Sequence, residues 1–270
     1  MTFTGAFHRI ARHVQVTVLE PHAVNVGLVV GSNRAALIDA SPAQGRELLE
    51  AARREAGMPV THVIITHAHH DHWLGVGGMT DIVTIAHEDL LVAPEKEVTD
   101  AADALGLDEL PKPTEPLSLV KGLDLGGVRL EILHFGPAHT RTDLFVIVPE
   151  DDVIFVGDVI ESAGDPCFSA VSNLEGWPKA IDAMLGSSTE ATRFVPGHGD
   201  VVNRDFVFRQ RAQIAMVRGT VEQLVGRGVA CEEALGAEQW PFSEQTMATL
   251  LPLAYREVQD AGMRRRLPLV

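Results

Sequence analysis

The sequence predicts an α/β fold in which two β-sheets lie between layers of helices. Three strand-like segments fill the first forty residues: an alternating segment at 14–18 and two apolar runs at 24–30 and 35–38. A helix and a buried strand at 61–66 come next, and strands and helices then alternate until the chain becomes mostly helical. Two sheets flanked by helices are the simplest arrangement that accommodates this order.

The elements are predicted as follows. Ser41 and Pro42 open a helix that is predicted over residues 43–56, and Gly57 and Pro59 end it. The acidic, Ala- and Leu-rich segment 87–113 is predicted to be a helical insertion, and helices are predicted from about residue 204 onward. Further strands are predicted at 82–86, 128–135, 144–148, 153–156 and 193–196, with a helix at 178–185. With no repeat or linker in the sequence, residues 1–270 are expected to form a single domain.

Composition narrows the range of partners. Apolar residues make up 46% of the 270 residues, enough for a substantial core, and the formal net charge is −15. That charge disfavours nucleic acids and anionic membranes, and no apolar run reaches the roughly 18 residues of a membrane span. Cys167 and Cys231 are too far apart in sequence to suggest a disulfide framework. A small-molecule substrate and a cytoplasmic location are therefore expected.

The most informative segment is the histidine cluster that follows the buried strand, with the sequence THAHHDH over residues 66–72. Imidazole and carboxylate groups are the usual nitrogen and oxygen ligands of zinc. If the strand stays extended through His67 and His69, their side chains project to the same face. The turn that follows can then direct Asp71 and His72 toward a second point nearby.

Three later segments repeat this arrangement, each with a metal-binding residue type after a predicted strand: His139, Asp158 and His198. Ligands of α/β proteins gather at the carboxyl ends of strands. An isolated His-X-His pair is more often an incidental surface feature. Four such segments in one chain predict a metal centre.

The HxHxDH pattern of residues 67–72, followed in order by His139, Asp158 and His198, resembles the metallo-β-lactamase superfamily. The resemblance implies an αββα sandwich of two mixed sheets flanked by helices, with two zinc ions. It further implies that Asp158 bridges the two ions. The implied ligands of the first zinc are His67, His69 and His139, and those of the second are Asp71, His72 and His198. Iron or manganese would suit the same donors.

Such a centre supports hydrolysis. Two zinc ions can lower the pKa of a water molecule to near 7, and the resulting hydroxide can attack the carbonyl of an ester, thioester or lactone. Asp71 and Asp158 are the expected catalytic residues, and Asp71 would orient the hydroxide. Support for the ligand side chains is expected from Asp39, Thr140 and Asp143, although a turn or cap role is equally consistent for Asp39.

Departures from the β-lactamase branches refine the expected substrate. Zinc β-lactamases with a cysteine ligand carry it at the position of Asp158, and they carry a lysine at the position of Glu161. Asp158 is similar to the bridging aspartate of the glyoxalase II and lactonase-like branches, so β-lactamase activity is expected to be weak or promiscuous. Two alternatives of other classes stay open: a mononuclear iron persulfide dioxygenase, which shares HxHxDH, and a metal-binding module without turnover.

Overall fold

Two mixed β-sheets, packed face to face and flanked by helices, form the fold and confirm the predicted αββα sandwich. The computed structural model describes residues 5–42 and 45–266. Apolar side chains fill three layers: one between the sheets and one on the outer face of each sheet, beneath the helices. None of the helices in these two ranges is long and apolar enough to cross a membrane.

The first sheet has seven strands in the order in which they occur in the chain. They are β1 (His8–Arg9), β2 (Val14–Leu19), β3 (Val24–Val30), β4 (Ala35–Ile38), β5 (Val60–Ile64), β6 (Val83–His87) and β7 (Glu115–Leu117). The strands from β1 to β4 pair antiparallel, and those from β4 to β7 pair parallel. The parallel half requires crossover connections, and the segment between β4 and β5 is mainly a helix.

The second sheet has five strands in the order β12-β11-β10-β9-β8. They are β8 (Val120–Asp124), β9 (Arg129–Leu133), β10 (Phe145–Val148), β11 (Val153–Gly157) and β12 (Arg193–Pro196). The pairs from β8 to β11 are antiparallel, and β12 runs parallel to β11. The sequence prediction missed β1, β7 and β8. These are edge strands with several exposed or half-buried residues, so they lack a clear apolar pattern.

Helices cover the outer faces. They are α1 (Gly45–Ala56), α2 (His70–Trp73), α3 (Lys96–Ala104), α4 (Gly176–Gly186), α5 (Arg204–Gly226), α6 (Cys231–Ala237) and α7 (Glu244–Arg266). The predicted start of the first helix at residue 43 lies outside the described residues. The prediction of a helical segment over 87–113 is wrong for part of its length. Its helical parts are α3 and a short 3-10 turn at Glu88–Leu91. Pro94 separates the two, and Gly106, at a φ of +69°, follows α3.

Close contact between the sheets depends on Gly27 of β3. A Cβ atom added at this position would lie 2.3 Å from the ring of Phe155, which β11 contributes to the layer between the sheets. Phe155 is 2% exposed, so its ring is packed within this layer. The bare backbone of Gly27 therefore lets the two sheets approach at the strand that precedes Asp158.

We expect Gly27→Ala to destabilise the protein by about 1–3 kcal/mol, because overpacking forces a rigid ring or the backbone to move. The matched control is Gly122→Ala on β8, where an added Cβ would meet nothing within 4 Å. Urea denaturation of both variants measures the difference. Equal midpoints for Gly27→Ala, Gly122→Ala and the parent protein would contradict this account.

Candidate metal centre

The candidate metal-binding side chains gather at one edge of the sandwich, after the carboxyl ends of strands. His67 and His69 follow β5, Asp158 follows β11 and His198 follows β12, while His139 lies in the loop between β9 and β10. The predicted extension of the strand through His69 is wrong, since β5 ends at Ile64. Beyond it, the Thr66 amide donates to the Asp39 carboxylate (2.7 Å), and the chain turns away from the sheet.

The first group of donors contains His67, His69, His139 and Asp158. Nδ1 of His69 lies 3.0 Å from Nε2 of His139. Oδ2 of Asp158 lies 3.6 Å from Nε2 of His67 and 3.7 Å from Nε2 of His139. Three imidazoles and one carboxylate oxygen thus converge on one point.

The second group of donors contains Asp71, His72 and His198. The Nε2 atoms of His72 and His198 are 3.2 Å apart, and Oδ2 of Asp71 lies 3.4 Å from Nε2 of His198. Asp158 also reaches this group, with Oδ1 3.3 Å from Nε2 of His72. Asp158 therefore lies between the two groups and contacts both.

Hydrogen bonds on the outer side of three rings determine which nitrogen faces the centre. Nδ1 of His139 donates to the carbonyl of Cys167 and Nδ1 of His198 to the carbonyl of His22, each at 3.0 Å. Nδ1 of His72 donates to the Asp39 carboxylate at 2.8 Å. Because carbonyl and carboxylate oxygens only accept, these nitrogens carry the protons, and each Nε2 is left for a cation.

The remaining two rings follow the same rule. Thr66 donates its hydroxyl proton to Asp39 (2.8 Å), so its oxygen accepts from Nδ1 of His67 at 3.0 Å. Nε2 of His69 faces the Glu95 carboxylate at 3.3 Å, which leaves Nδ1 of His69 directed inward. All five imidazoles therefore present one nitrogen to the centre and have the other anchored by an acceptor.

The donor set fits divalent metal ions. Nε2 of His67 and Oδ1 of Asp158 are buried and have no hydrogen-bond partner within the described part of the chain. Such unpaired buried atoms are rare and call for a partner. The donor separations of 3.0–3.7 Å bracket the roughly 3.3 Å edge of a tetrahedron with zinc–ligand bonds of about 2.0–2.1 Å.

The electrostatics favour positive charge at the centre. Burial opposes protonation of His198, but its hydrogen bonds to Asp158 and Asp71 raise its pKa to about 10. At His67 the effect of burial prevails and lowers the pKa to about 4. A cation entering the second group would displace protons, whereas His67 is already a neutral donor at pH 7.

Asn25 supports the centre and was not identified from the sequence. Asn25 lies on β3, and its backbone amide donates to the carbonyl of Gly197 (2.7 Å). Its side-chain Nδ2 donates to the carbonyls of Pro196 (3.0 Å) and Gly199 (2.7 Å). These bonds hold the turn that carries His198. A polar residue within the apolar run 24–30 was the available signal.

Gly197 is required by contact rather than by conformation. A Cβ atom there would lie 1.8 Å from Oδ1 of Asp158. The turn can therefore carry His198 past Asp158 only if residue 197 lacks a side chain.

Thr140 and Asp143 act on the backbone of the His139 loop. The Asp143 carboxylate accepts from the Thr140 amide (2.9 Å), the Thr140 hydroxyl (2.7 Å) and the Ala138 amide (3.2 Å). These contacts hold the turn and do not involve the His139 ring, so a supporting role for both residues stays a prediction. His70, by contrast, faces Glu97 at 3.5 Å and lies outside both donor groups.

Comparison with known proteins identifies the family. The sequence model of the metallo-beta-lactamase superfamily matches residues 19–198, which include every donor described above. The chain belongs to this superfamily. A solved metallo-beta-lactamase from Pontibacter korlensis has the same fold, with a TM-score of 0.64 and 20% identity over 78% of this chain and 99% of that one.

Two curated relatives illustrate the range of activities within the superfamily. A metallo-beta-lactamase type 2 from Bacillus cereus is 28% identical over 66% of this chain and 68% of its own length. A hydroxyacylglutathione hydrolase from Alkalilimnicola ehrlichii is 31% identical over 64% of this chain and 60% of its own length. Both are hydrolases, and the chain is accordingly a metallo-hydrolase of this superfamily.

We expect Asp39→Asn to weaken metal binding by about 10- to 100-fold, as loss of a hydrogen bond behind a ligand commonly does. Oδ2 of Asp39 accepts from both His72 and Thr66, while Oδ1 accepts from the Thr66 amide. In either orientation, the NH₂ group of the asparagine therefore faces an N–H or O–H donor of Thr66 or His72, where the carboxylate had an accepting oxygen. Calorimetric titration with zinc measures the effect, and an unchanged affinity would show that Asp39 acts only on the turn.

Proposed function

We propose that the protein is a dinuclear zinc-dependent hydrolase that acts on the carbonyl of an ester, thioester or lactone. The observation that carries the proposal is the pair of donor groups that share Asp158. In this arrangement His67, His69 and His139 would hold the first ion. The second ion would be held by Asp71, His72 and His198, and Asp158 would be shared by the two.

Two zinc ions at such a site supply Lewis acidity, which lowers the pKa of water to near 7 and polarises a carbonyl oxygen. The chain's own part is to hold the reacting groups and their charges in place. Nε2 of His72 and Oδ1 of Asp158 lie 3.3 Å apart, and both side chains are buried, so the surrounding packing limits how far either can move.

Asp71 is suited to orient the attacking water. Burial opposes its ionisation, yet the charge of His72 and a hydrogen bond from His198 hold the pKa of Asp71 well below its usual range. An ionised carboxylate accepts hydrogen bonds only. Oδ2 of Asp71 is directed at Nε2 of His198 (3.4 Å), and Oδ1 lies 3.9 Å from Nδ1 of His70. That separation is too long for a hydrogen bond, so in this proposal Oδ1 accepts a hydrogen bond from the water and orients it toward the carbonyl.

The choice of substrate rests on Glu161. Its carboxylate forms a group with Asp158 and His198 in which the donor atoms lie within 4.8 Å of one another. Gln210 of α5 holds the Glu161 backbone through two hydrogen bonds, accepting from its amide (3.0 Å) and donating to its carbonyl (2.8 Å). The Glu161 carboxylate also accepts from the Ala163 amide (2.7 Å), so the residue is fixed beside the second donor group.

A substrate carboxylate near the second site therefore meets a fixed acidic side chain. This favours esters, thioesters and lactones that are neutral close to the scissile bond, in line with the relative named as a hydroxyacylglutathione hydrolase. Weak β-lactamase activity is the second candidate, favoured by the relative from Bacillus cereus.

We expect Asp158→Ala to lower the zinc content from two ions per chain and to reduce kcat/KM by about 10²- to 10³-fold or more. The variant removes the side chain shared by both donor groups. Asp100→Ala, at an exposed residue that pairs with Lys96, is the matched control. Elemental analysis and hydrolysis of a nitrophenyl ester and an acyl thioester, with and without chelator, measure both effects. Full activity in Asp158→Ala, or activity that resists chelation, would overturn the proposal.

We expect Glu161→Gln to raise the ratio of β-lactam to neutral thioester hydrolysis severalfold. The amide keeps the shape of the side chain and removes the negative charge that Glu161 carries above its pKa, which burial raises to about 7. The readout is kcat/KM for both substrates in the variant and in the parent protein. A ratio that does not change would show that Glu161 has no part in excluding anionic substrates.

A further inference from the structure

Glu95 connects the first donor group to a loop more than 70 residues later in the chain. It lies between the 3-10 turn Glu88–Leu91 and helix α3, in the segment predicted as an insertion. One oxygen atom, Oε1, accepts from Nε2 of His69 at 3.3 Å and from the Ser169 hydroxyl at 3.2 Å. A single carboxylate oxygen thus joins His69 to the loop that contains Ser169.

That loop, residues 167–172, holds His139. The carbonyl of Cys167 accepts from Nδ1 of the His139 ring at 3.0 Å. The Ser172 hydroxyl donates to the His139 carbonyl at 2.8 Å, and its oxygen accepts from the Ser169 amide at 3.0 Å. The loop therefore fixes both the ring and the backbone of His139, and Glu95 links this support to His69.

The other donors have separate anchors. His67 and His72 are held through Thr66 and Asp39, and His198 is held by the carbonyl of His22. His69 and His139, whose inward nitrogens are 3.0 Å apart, are the donors that the contacts of Glu95 connect. A change at Glu95 should therefore act on the first donor group and spare the second.

We propose that Glu95 is a positioning residue that fixes His69 and His139 in metal-binding geometry and selects the Nδ1 nitrogen of His69 as the ligand. A hydrogen bond to the far nitrogen of an imidazole fixes both its tautomer and its orientation. The inference rests on the metal centre of the proposed function, but not on its substrate or its turnover.

The side chain allows the hydrogen bond to be separated from the charge. Both contacts of Glu95 go to the same oxygen atom, so the amide oxygen of Glu95→Gln can accept both hydrogen bonds without the negative charge. Glu95→Ala removes both bonds and the charge. Glu97→Ala is the matched control, because the Glu97 side chain is 77% exposed and faces His70, which lies outside both donor groups.

The first measurement is calorimetric titration of the purified full chain with zinc. We expect Glu95→Ala to weaken one of the two binding events by about 10- to 100-fold and to leave the other unchanged. Glu95→Gln is expected to retain most of that affinity, with a loss of less than about tenfold, and Glu97→Ala to match the parent protein. Thermal melting of each variant checks that the fold is intact.

The second measurement is nitrogen NMR of the histidine rings in the zinc-loaded proteins. In the parent protein and in Glu95→Gln, we expect His69 to be protonated at Nε2 and to bind through Nδ1. In Glu95→Ala, we expect a mixed or inverted nitrogen pattern at His69, while His198 keeps its own. A general loss of stability would not produce this signature at a single ring.

The outcomes are separable. Parent-like zinc affinity in Glu95→Ala, or an unchanged His69 nitrogen pattern in that variant, would overturn the role of Glu95 and leave the proposed function intact. Fewer than two zinc ions in the parent protein would contradict the dinuclear centre itself. An equal loss of affinity in Glu97→Ala would reduce the effect to general surface charge and would also overturn the inference.

Discussion

The carboxylate of Asp158 is the group on which the rest of the site depends. Asp158 is 5% exposed, and its carboxylate oxygens lie 3.3–3.7 Å from the Nε2 atoms of four imidazoles that follow strands of both sheets. Burying an ionised carboxylate is costly unless positive charge compensates it. The cluster of histidines, and the cations that such a cluster can bind, provide that compensation. Gly197 then leaves the space that lets His198 reach the same carboxylate.

A second set of contacts keeps the donors in place. Asp39 adopts a φ of +66°, a conformation that non-glycine residues seldom occupy, and its carboxylate there receives three hydrogen bonds from Thr66 and His72. This strain at the end of β4 is offset by contacts that orient the donors. Asn25 likewise holds the turn that carries His198 through its hydrogen bonds to the carbonyls of that turn. The ends of the β-strands thus fix the backbone beside the site, and polar side chains at those strand ends orient the imidazoles.

Much of this arrangement could be predicted from sequence because it is local. The apolar strands, the HxHxDH segment and the residues after β11 and β12 lie in short patterns, and the resemblance to a known family gave their grouping. The edge strands β1, β7 and β8 could not be predicted, because their exposed or half-buried residues give no clear apolar pattern. Asn25 and Glu95 were missed because their contacts with Gly199 and with Ser169 join segments more than 70 residues apart. The single-domain organisation and the cytoplasmic location stay predictions.

We expect the chain to hold two metal ions that share Asp158. Diffraction from zinc-soaked crystals at the zinc absorption edge tests this expectation most directly. The account predicts two anomalous peaks about 3.5–4 Å apart. One should lie against His67, His69 and His139 and the other against Asp71, His72 and His198, with Asp158 touching both. A single peak, or two peaks that do not share Asp158, would contradict the account.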